Sequence, residues 1–160
     1  MYKTEEHGIA VLIGTLLISF IRFSEFAELL NVCWLEIRGK IDVSVLSPKT
    51  TYCAYLVFKI AKSWVGLAFP AVASVKVGMY VSEHRVSLTV DEQSNDYMQH
   101  HGAVTRPTNL GADDWLKLEM GEFFVDEGDE GEVDISLMET RGGHWKRGLI
   151  VQGIEIRPKK

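Results

Sequence analysis

The sequence predicts an all-β domain, an antiparallel β-sandwich or barrel. Three observations carry that expectation. From Val32 onward, apolar residues recur at every second position in run after run, which is the period of a half-buried strand. Clusters of glycine, proline, aspartate and asparagine separate the runs, and these are turn-forming residues. Past Leu30, no stretch sustains helical periodicity over three turns. About seven to nine short strands in a domain of this size imply a sandwich or a barrel.

The elements follow in order. "FSEFAELLN" places Phe23, Phe26, Ala27 and Leu30 at helical spacing, so a short helix is expected near the N-terminus. In "VCWLEIRGK", Cys33, Leu35 and Ile37 alternate with Trp34, Glu36 and Arg38. "LSPKTT" reads as a turn. "TYCAYLVFKIA" carries Tyr52, Ala54, Leu56, Phe58 and Ile60 on one face and Cys53, Tyr55 and Val57 on the other. Two apolar faces mark a central strand. "ASVKVGMYV" and "HRVSLTV" are two further runs, with the break expected at Ser82–Glu83. The polar stretch "DEQSNDYMQHHGAVTRPTNLGAD" reads as a long loop. "WLKLEM" and "GEFFV" turn Leu116, Leu118 and Met120 inward, and "VDISLME" does the same with Val133, Ile135 and Leu137. An acidic turn, "DEGDEGE", lies between them. "WKRGLIVQGIEIRP" closes the chain, with Leu149, Val151 and Ile154 or Ile156 as its core residues.

Composition narrows the function. The chain has 160 residues, most simply one domain, and 46% are hydrophobic, enough for a real core. Its net charge of −5 speaks against a protein that binds phosphate backbones, and the short basic tail "RPKK" reads as solvated. Cys33 and Cys53 both sit within apolar runs and are expected as buried free thiols. "GIAVLIGTLLISFI", Gly8–Ile21, is shorter than the roughly 20 residues of a membrane-spanning helix. Glu5 and Glu6 precede it where a secretory signal would be positive. It stands as a strand or helix packed on the domain, as a targeting or anchoring segment, or as a chain start unrelated to the domain.

No pattern points to catalysis. G-x-S-x-G, P-loop, H-E-x-x-H and C-x-x-C are all missing from the sequence. His100 and His101 are neighbours whose side chains diverge on an extended chain, and "DEGDEGEVD" lacks the ligand spacing of a calcium loop. The carboxylates Glu119, Glu122, Glu132 and Glu139 read as strand surface. No metal, no cofactor and no catalytic residue is expected. Binding suits the residues better. A pyranose ring needs an aromatic plate for its apolar face and a few polar groups for its hydroxyls. Trp145, with Glu132 and Glu139 nearby in sequence, offers those types.

Several ordered segments are more specific. "RFSEFAELLNVCWLEIRGKI", "LSPKTTYCAYLVFKIAK", "WLKLEMGEFF", "GEVDISLMET" and "GGHWKRGLIVQGIEIRPK" resemble the phloem protein 2 lectins and the tobacco agglutinin-type (Nictaba-like) lectins. The resemblance covers residues 22–160, leaving 1–21 as an atypical apolar segment. It implies a β-sandwich of jelly-roll-like topology that binds N-acetylglucosamine oligomers (chito-oligosaccharides) or N-glycan cores without catalysis. It implies a plant protein of phloem sieve elements, cytoplasm or nucleus that can form a homodimer. Nucleic acid is not an expected partner. A membrane or secreted location rests only on the N-terminal apolar run.

The resemblance places the sugar-binding carboxylates at Glu132 and Glu139. Seven residues apart on a straight strand, these point to opposite faces, so a bulge or bend is required to join them. The family's N-terminal tryptophans have no counterpart in residues 1–21. Trp145 is then expected chiefly as scaffold before the last strand, with ligand contact as the second reading. The competing expectation is a phloem structural or interaction protein whose sugar site is weakened or lost.

Overall fold

The computed structural model describes residues 2–5, 8–11, 20–23, 26–29, 31, 33–90, 104–111, 114–139 and 145–159. Twelve strands are described: β1 Tyr2–Glu5, β2 Gly8–Val11, β3 Phe20–Phe23, β4 Phe26–Leu29, β5 Leu35–Asp42, β6 Thr50–Val65, β7 Ala71–Val77, β8 Tyr80–Val86, β9 Thr108–Asn109, β10 Leu116–Val125, β11 Glu132–Glu139 and β12 Arg147–Pro158. They form two antiparallel sheets. The larger runs β1-β2-β12-β6-β10-β9, and the β3–β4 hairpin joins it through β4 on β12. The smaller runs β5-β11-β7-β8. Leu56, Phe58, Leu118 and Ile154 from the larger sheet share one buried cluster with Ile37, Ala73, Val75 and Ile135 from the smaller. This is the expected all-β sandwich.

β6 is the central strand of the larger sheet, flanked by β10 and β12. Its two apolar faces follow from that position. β10 and β12 both change face part-way along. Leu116, Leu118 and Met120 are buried, then Phe123 and Val125; Leu149 and Val151 are buried, then Ile154 and Ile156. Each sequence of burial skips one residue, and each skip coincides with a register shift, at Glu119/Gly121 and at Val151/Gly153. A β-bulge inserts one residue and so switches the inward parity. This is why Ile154 and Ile156 are both core residues. At the first bulge Gly121 has φ +148°, and a Cβ there would lie 2.9 Å from Val75 Cγ2 of the facing sheet, so the two sheets meet closely at this point.

Three expectations need correction or completion. The short helix is not found among the described residues: Phe20–Phe23 pairs antiparallel with Phe26–Leu29, and β4 pairs with β12 through Ala27–Val151 and Glu28–Ile150. The open edge of β12 supplies backbone partners that outweigh a one-turn helical pattern. The break expected at Ser82–Glu83 lies instead at Gly78–Met79, where Gly78 adopts φ +56° and Val77 pairs with Tyr80. β8 then runs through Ser82 and Glu83. Of the apolar N-terminal run, Gly8–Val11 is a strand beside β12, with Ile9 opposite Ile156 and Val11 opposite Ile154; residues 12–19 lie outside the described residues. Among the described residues, no helix is long and apolar enough to cross a membrane.

The loops show why their residues suit them. After β5, the Asp42 carboxylate accepts from Ser44 N at 2.9 Å and caps a single 3-10 turn, Val43–Val45. That bond holds its pKa below the ordinary value. The Tyr52 hydroxyl then accepts from Ser47 N at 2.8 Å. The acidic turn carries the chain from β10 in one sheet to β11 in the other, with Asp129 Oδ2 accepting from Asp126 N at 2.8 Å. At the open edge of β10, side chains of β8 meet backbone carbonyls: Tyr80 donates to Glu122 O at 3.1 Å, and His84 Nε2 lies 3.3 Å from Glu119 O.

Candidate functional site

Glu132, Glu139 and Trp145 do not form one cluster. Glu132 opens β11, is exposed, and sits opposite Asp42. Glu139 ends the same strand. Seven residue steps separate their Cα atoms by about 23 Å along a strand. Their faces differ as well, because β11 is continuous against both neighbours without a register shift. Glu139 points inward with Val133, Ile135 and Leu137. The bulge that would bring both carboxylates to one site is not present.

Glu139 has a buried cation for a partner. Its side chain is 6% exposed and pairs with Lys146 Nζ, whose side chain is 1% exposed. The same ammonium donates to the carbonyl oxygen of Cys33. One buried group thus ties the end of β11, the approach to β12 and the approach to β5. An ion pair this buried is favourable only with good geometry and further hydrogen bonds, and the Cys33 carbonyl supplies one.

Around this tie the surface is aromatic. Trp145, immediately before Lys146, is 60% exposed, and Trp34, immediately after Cys33, is 66% exposed. Trp145 is therefore not a core anchor, which corrects its reading as scaffold. The neighbouring Lys146 takes the inward position, and alternation turns the indole outward. The sequence carries a signal for Trp34 that site reasoning missed: Leu35, Ile37 and Ile41 are core residues of β5, so Trp34, one position before Leu35, faces away from them. Trp64 near the end of β6 is also partly exposed. It lies against Gly148, where φ is +92° and a Cβ would fall 2.7 Å from Trp64 Cα; only glycine allows β12 to pass there. The fourth tryptophan, Trp115, has Lys59 Nζ 4.9 Å from its ring centroid. His100, His101 and His144 lie outside the described residues.

A second polar cluster lies on the outer face of the larger sheet. Ligand atoms of Cys53, Glu119 and Glu122 fall within 4.8 Å of one another. The chemistry is unfavourable for a metal, because a thiol must ionise to ligate and burial pushes the Cys53 thiol up to about 11. The Tyr55 hydroxyl is also raised, chiefly by its hydrogen bond with Cys53. Cations already serve the carboxylates here. Lys159 pairs with Glu122, Lys117 Nζ lies 3.9 Å from Glu155 and 3.9 Å from the Tyr55 ring centroid, and Arg157 pairs with Glu155. Cys33 and Cys53 are both free, Cys53 fully buried and Cys33 partly.

This cluster carries a pH prediction. The folded thiol keeps its proton to about pH 11, whereas the unfolded chain's thiol ionises near 9.0. The unfolded state therefore loses its proton first, and stability is complete below pH 9 and declines from there towards 11. Melting temperatures measured across that window should fall less steeply for Cys53→Ala than for the wild type.

A sequence model of the phloem protein 2 family matches residues 17–158. The chain belongs to the phloem protein 2 family. Two curated relatives from the plant Arabidopsis thaliana illustrate the match. F-box protein At2g02240 is 41% identical over 143 residues, covering 87% of this chain and 43% of the relative. F-box protein PP2-B10 is 40% identical over 141 residues, covering 87% and 50%. The chain spans about half the length of the curated relatives it matches. Trp34, Trp64, Trp115 and Trp145 all lie inside the matched residues.

Proposed function

We propose that this phloem protein 2 domain is a non-catalytic carbohydrate-binding module for N-acetylglucosamine oligomers or N-glycan cores. The observation that supports it most is the exposed indole of Trp145 beside a buried, internally neutralised ion pair. An indole face covers the C–H face of a pyranose, while surrounding polar groups meet hydroxyls and the acetamide. Glu132 does not belong to this end of the sandwich and is not proposed as part of the same site. Residues 22–160 are proposed as the recognition domain, in phloem sieve elements, cytoplasm or nucleus.

Titration with chitotriose, followed by calorimetry, tests the reading. The wild type is expected to bind, and Trp145→Ala should bind about tenfold more weakly or worse. Loss of stacking alone accounts for roughly 1 kcal/mol. Absence of binding to any N-acetylglucosamine-containing glycan at millimolar concentration overturns the proposal. It would favour the second reading, a phloem structural or interaction protein with a lost sugar site. That reading has its own observation, the lack of tryptophan in residues 1–21. Sedimentation would then ask whether the domain forms homodimers without sugar.

A further inference from the structure

We propose that Trp34 and Trp145 form one two-indole glycan platform, and that Glu139 and Lys146 are positioning residues beneath it rather than sugar ligands. The inference rests on the glycan-binding reading and names the residues of that site. Two chain segments more than a hundred residues apart are brought together by one ammonium group. Lys146 Nζ pairs with Glu139 and donates to Cys33 O. The residue after Cys33 is Trp34, and the residue before Lys146 is Trp145. Anchoring these two backbones at one point sets the two exposed indoles beside the same buried pair.

Register supports the placement. Leu35 lies opposite Glu139 at the end of the β5–β11 ladder. Trp34 is therefore one residue beyond that end, directed opposite to the buried Leu35. The β5 and β11 contributions come from the smaller sheet and the Lys146 contribution leads into the larger. The tie thus also holds the two sheets together at this end.

The burial of Glu139 decides its role. A carboxylate 6% exposed and paired through Oε2 with a buried ammonium presents almost no surface to a sugar hydroxyl, and opening a path to it would disturb that pair. Breaking it would leave a buried charge uncompensated. The surface groups next in line are different. Glu36 and Arg38 follow Trp34 on the outward stripe of β5 and pair with each other. They offer an acceptor and several donors while cancelling in charge. Two indoles with internally balanced charges suit an uncharged oligosaccharide rather than a nucleic acid or a charged peptide.

The test uses the whole chain with Trp34→Ala, Trp145→Ala, Glu139→Gln, Lys146→Met and the double variant Glu139→Leu/Lys146→Met. Two readouts are taken: chitotriose affinity and the NMR resonances of the tryptophan indole N–H groups. Each tryptophan variant should lose about tenfold in affinity or more. Glu139→Gln and Lys146→Met should shift the indole resonances of Trp34 and Trp145, leave that of Trp115 in place, and weaken binding by about tenfold or more. The double variant replaces the pair with apolar packing and should recover to within about threefold of the wild-type affinity. A double variant that regains its melting temperature but still binds more than tenfold too weakly makes Glu139 a direct ligand and overturns the positioning role. Undisturbed Trp34 and Trp145 indoles in Lys146→Met overturn it too. If chitotriose binds the wild type but neither tryptophan variant weakens it, the platform is wrong and the glycan reading survives. If no glycan binds the wild type, the glycan reading falls and the platform with it.

Discussion

Lys146→Met should lower the unfolding free energy by about 3–5 kcal/mol. Methionine keeps most of the length of the lysine stem, so the loss is not mainly a cavity. It comes from Glu139, which keeps a buried carboxylate without its cation, and from Cys33 O, which loses a charged donor. Unfolding in urea should show a lower midpoint with an unchanged slope, the signature of altered stability without altered exposure. Lys40→Met provides the comparison. Lys40 pairs with Asp134 at 3.5 Å, but both side chains are largely exposed, and such a surface pair contributes about 1 kcal/mol or less. Two lysine substitutions of the same chemistry should therefore differ several-fold in effect because one ammonium is buried and the other is not.

Phe58→Ala should cost about 3–5 kcal/mol. Phe58 is fully buried in the central strand β6, paired with Leu116 of β10 on one side and Val151 of β12 on the other. Its neighbours are held by two ladders and cannot collapse into the space, which puts the cost at the upper part of the large-to-small range. Set against a typical domain stability of about 5–15 kcal/mol, this is a third or more of the total. Phe124→Ala should cost far less, because Phe124 is more than half exposed on the outer side of β10. The same denaturation experiment checks both, and comparable losses at the two positions would contradict the assignment of Phe58 to the core.

The aromatic end connects these stability effects to the proposed function. The ion pair that Lys146→Met would break is the same one that sets Trp34 beside Trp145. Close passage of β12 at Gly148 holds Trp64 at the same end. Stability and ligand binding should therefore fall together for substitutions in this region. They should separate for substitutions such as Phe58→Ala, made far enough inside the sandwich to leave the rim in place.

Local pattern by itself determined the all-β class, the central position of β6 and the inward residues Leu35 and Ile37 of β5, Leu116, Leu118 and Met120 of β10, and Val133, Ile135 and Leu137 of β11. These follow from period-2 alternation, which neighbouring residues set without reference to the rest of the chain. It also held the outward direction of Trp34, although alternation alone does not say what an exposed indole is for. Tertiary structure decided the rest. The hairpin at Phe20–Leu29 replaced a helical pattern because the edge of β12 offered it pairing. The face changes at Gly121 and Gly153 came from bulges, whose positions depend on the partner strand. The separation of Glu132 from Glu139 followed from β11 pairing with both neighbours without a register shift, and the burial of Glu139 went with Lys146, which pairs with it and also donates to Cys33 O, 113 positions away. The hydrogen bond from Lys146 to Cys33 leaves no periodic trace in sequence, since it forms only when two distant segments are buried together.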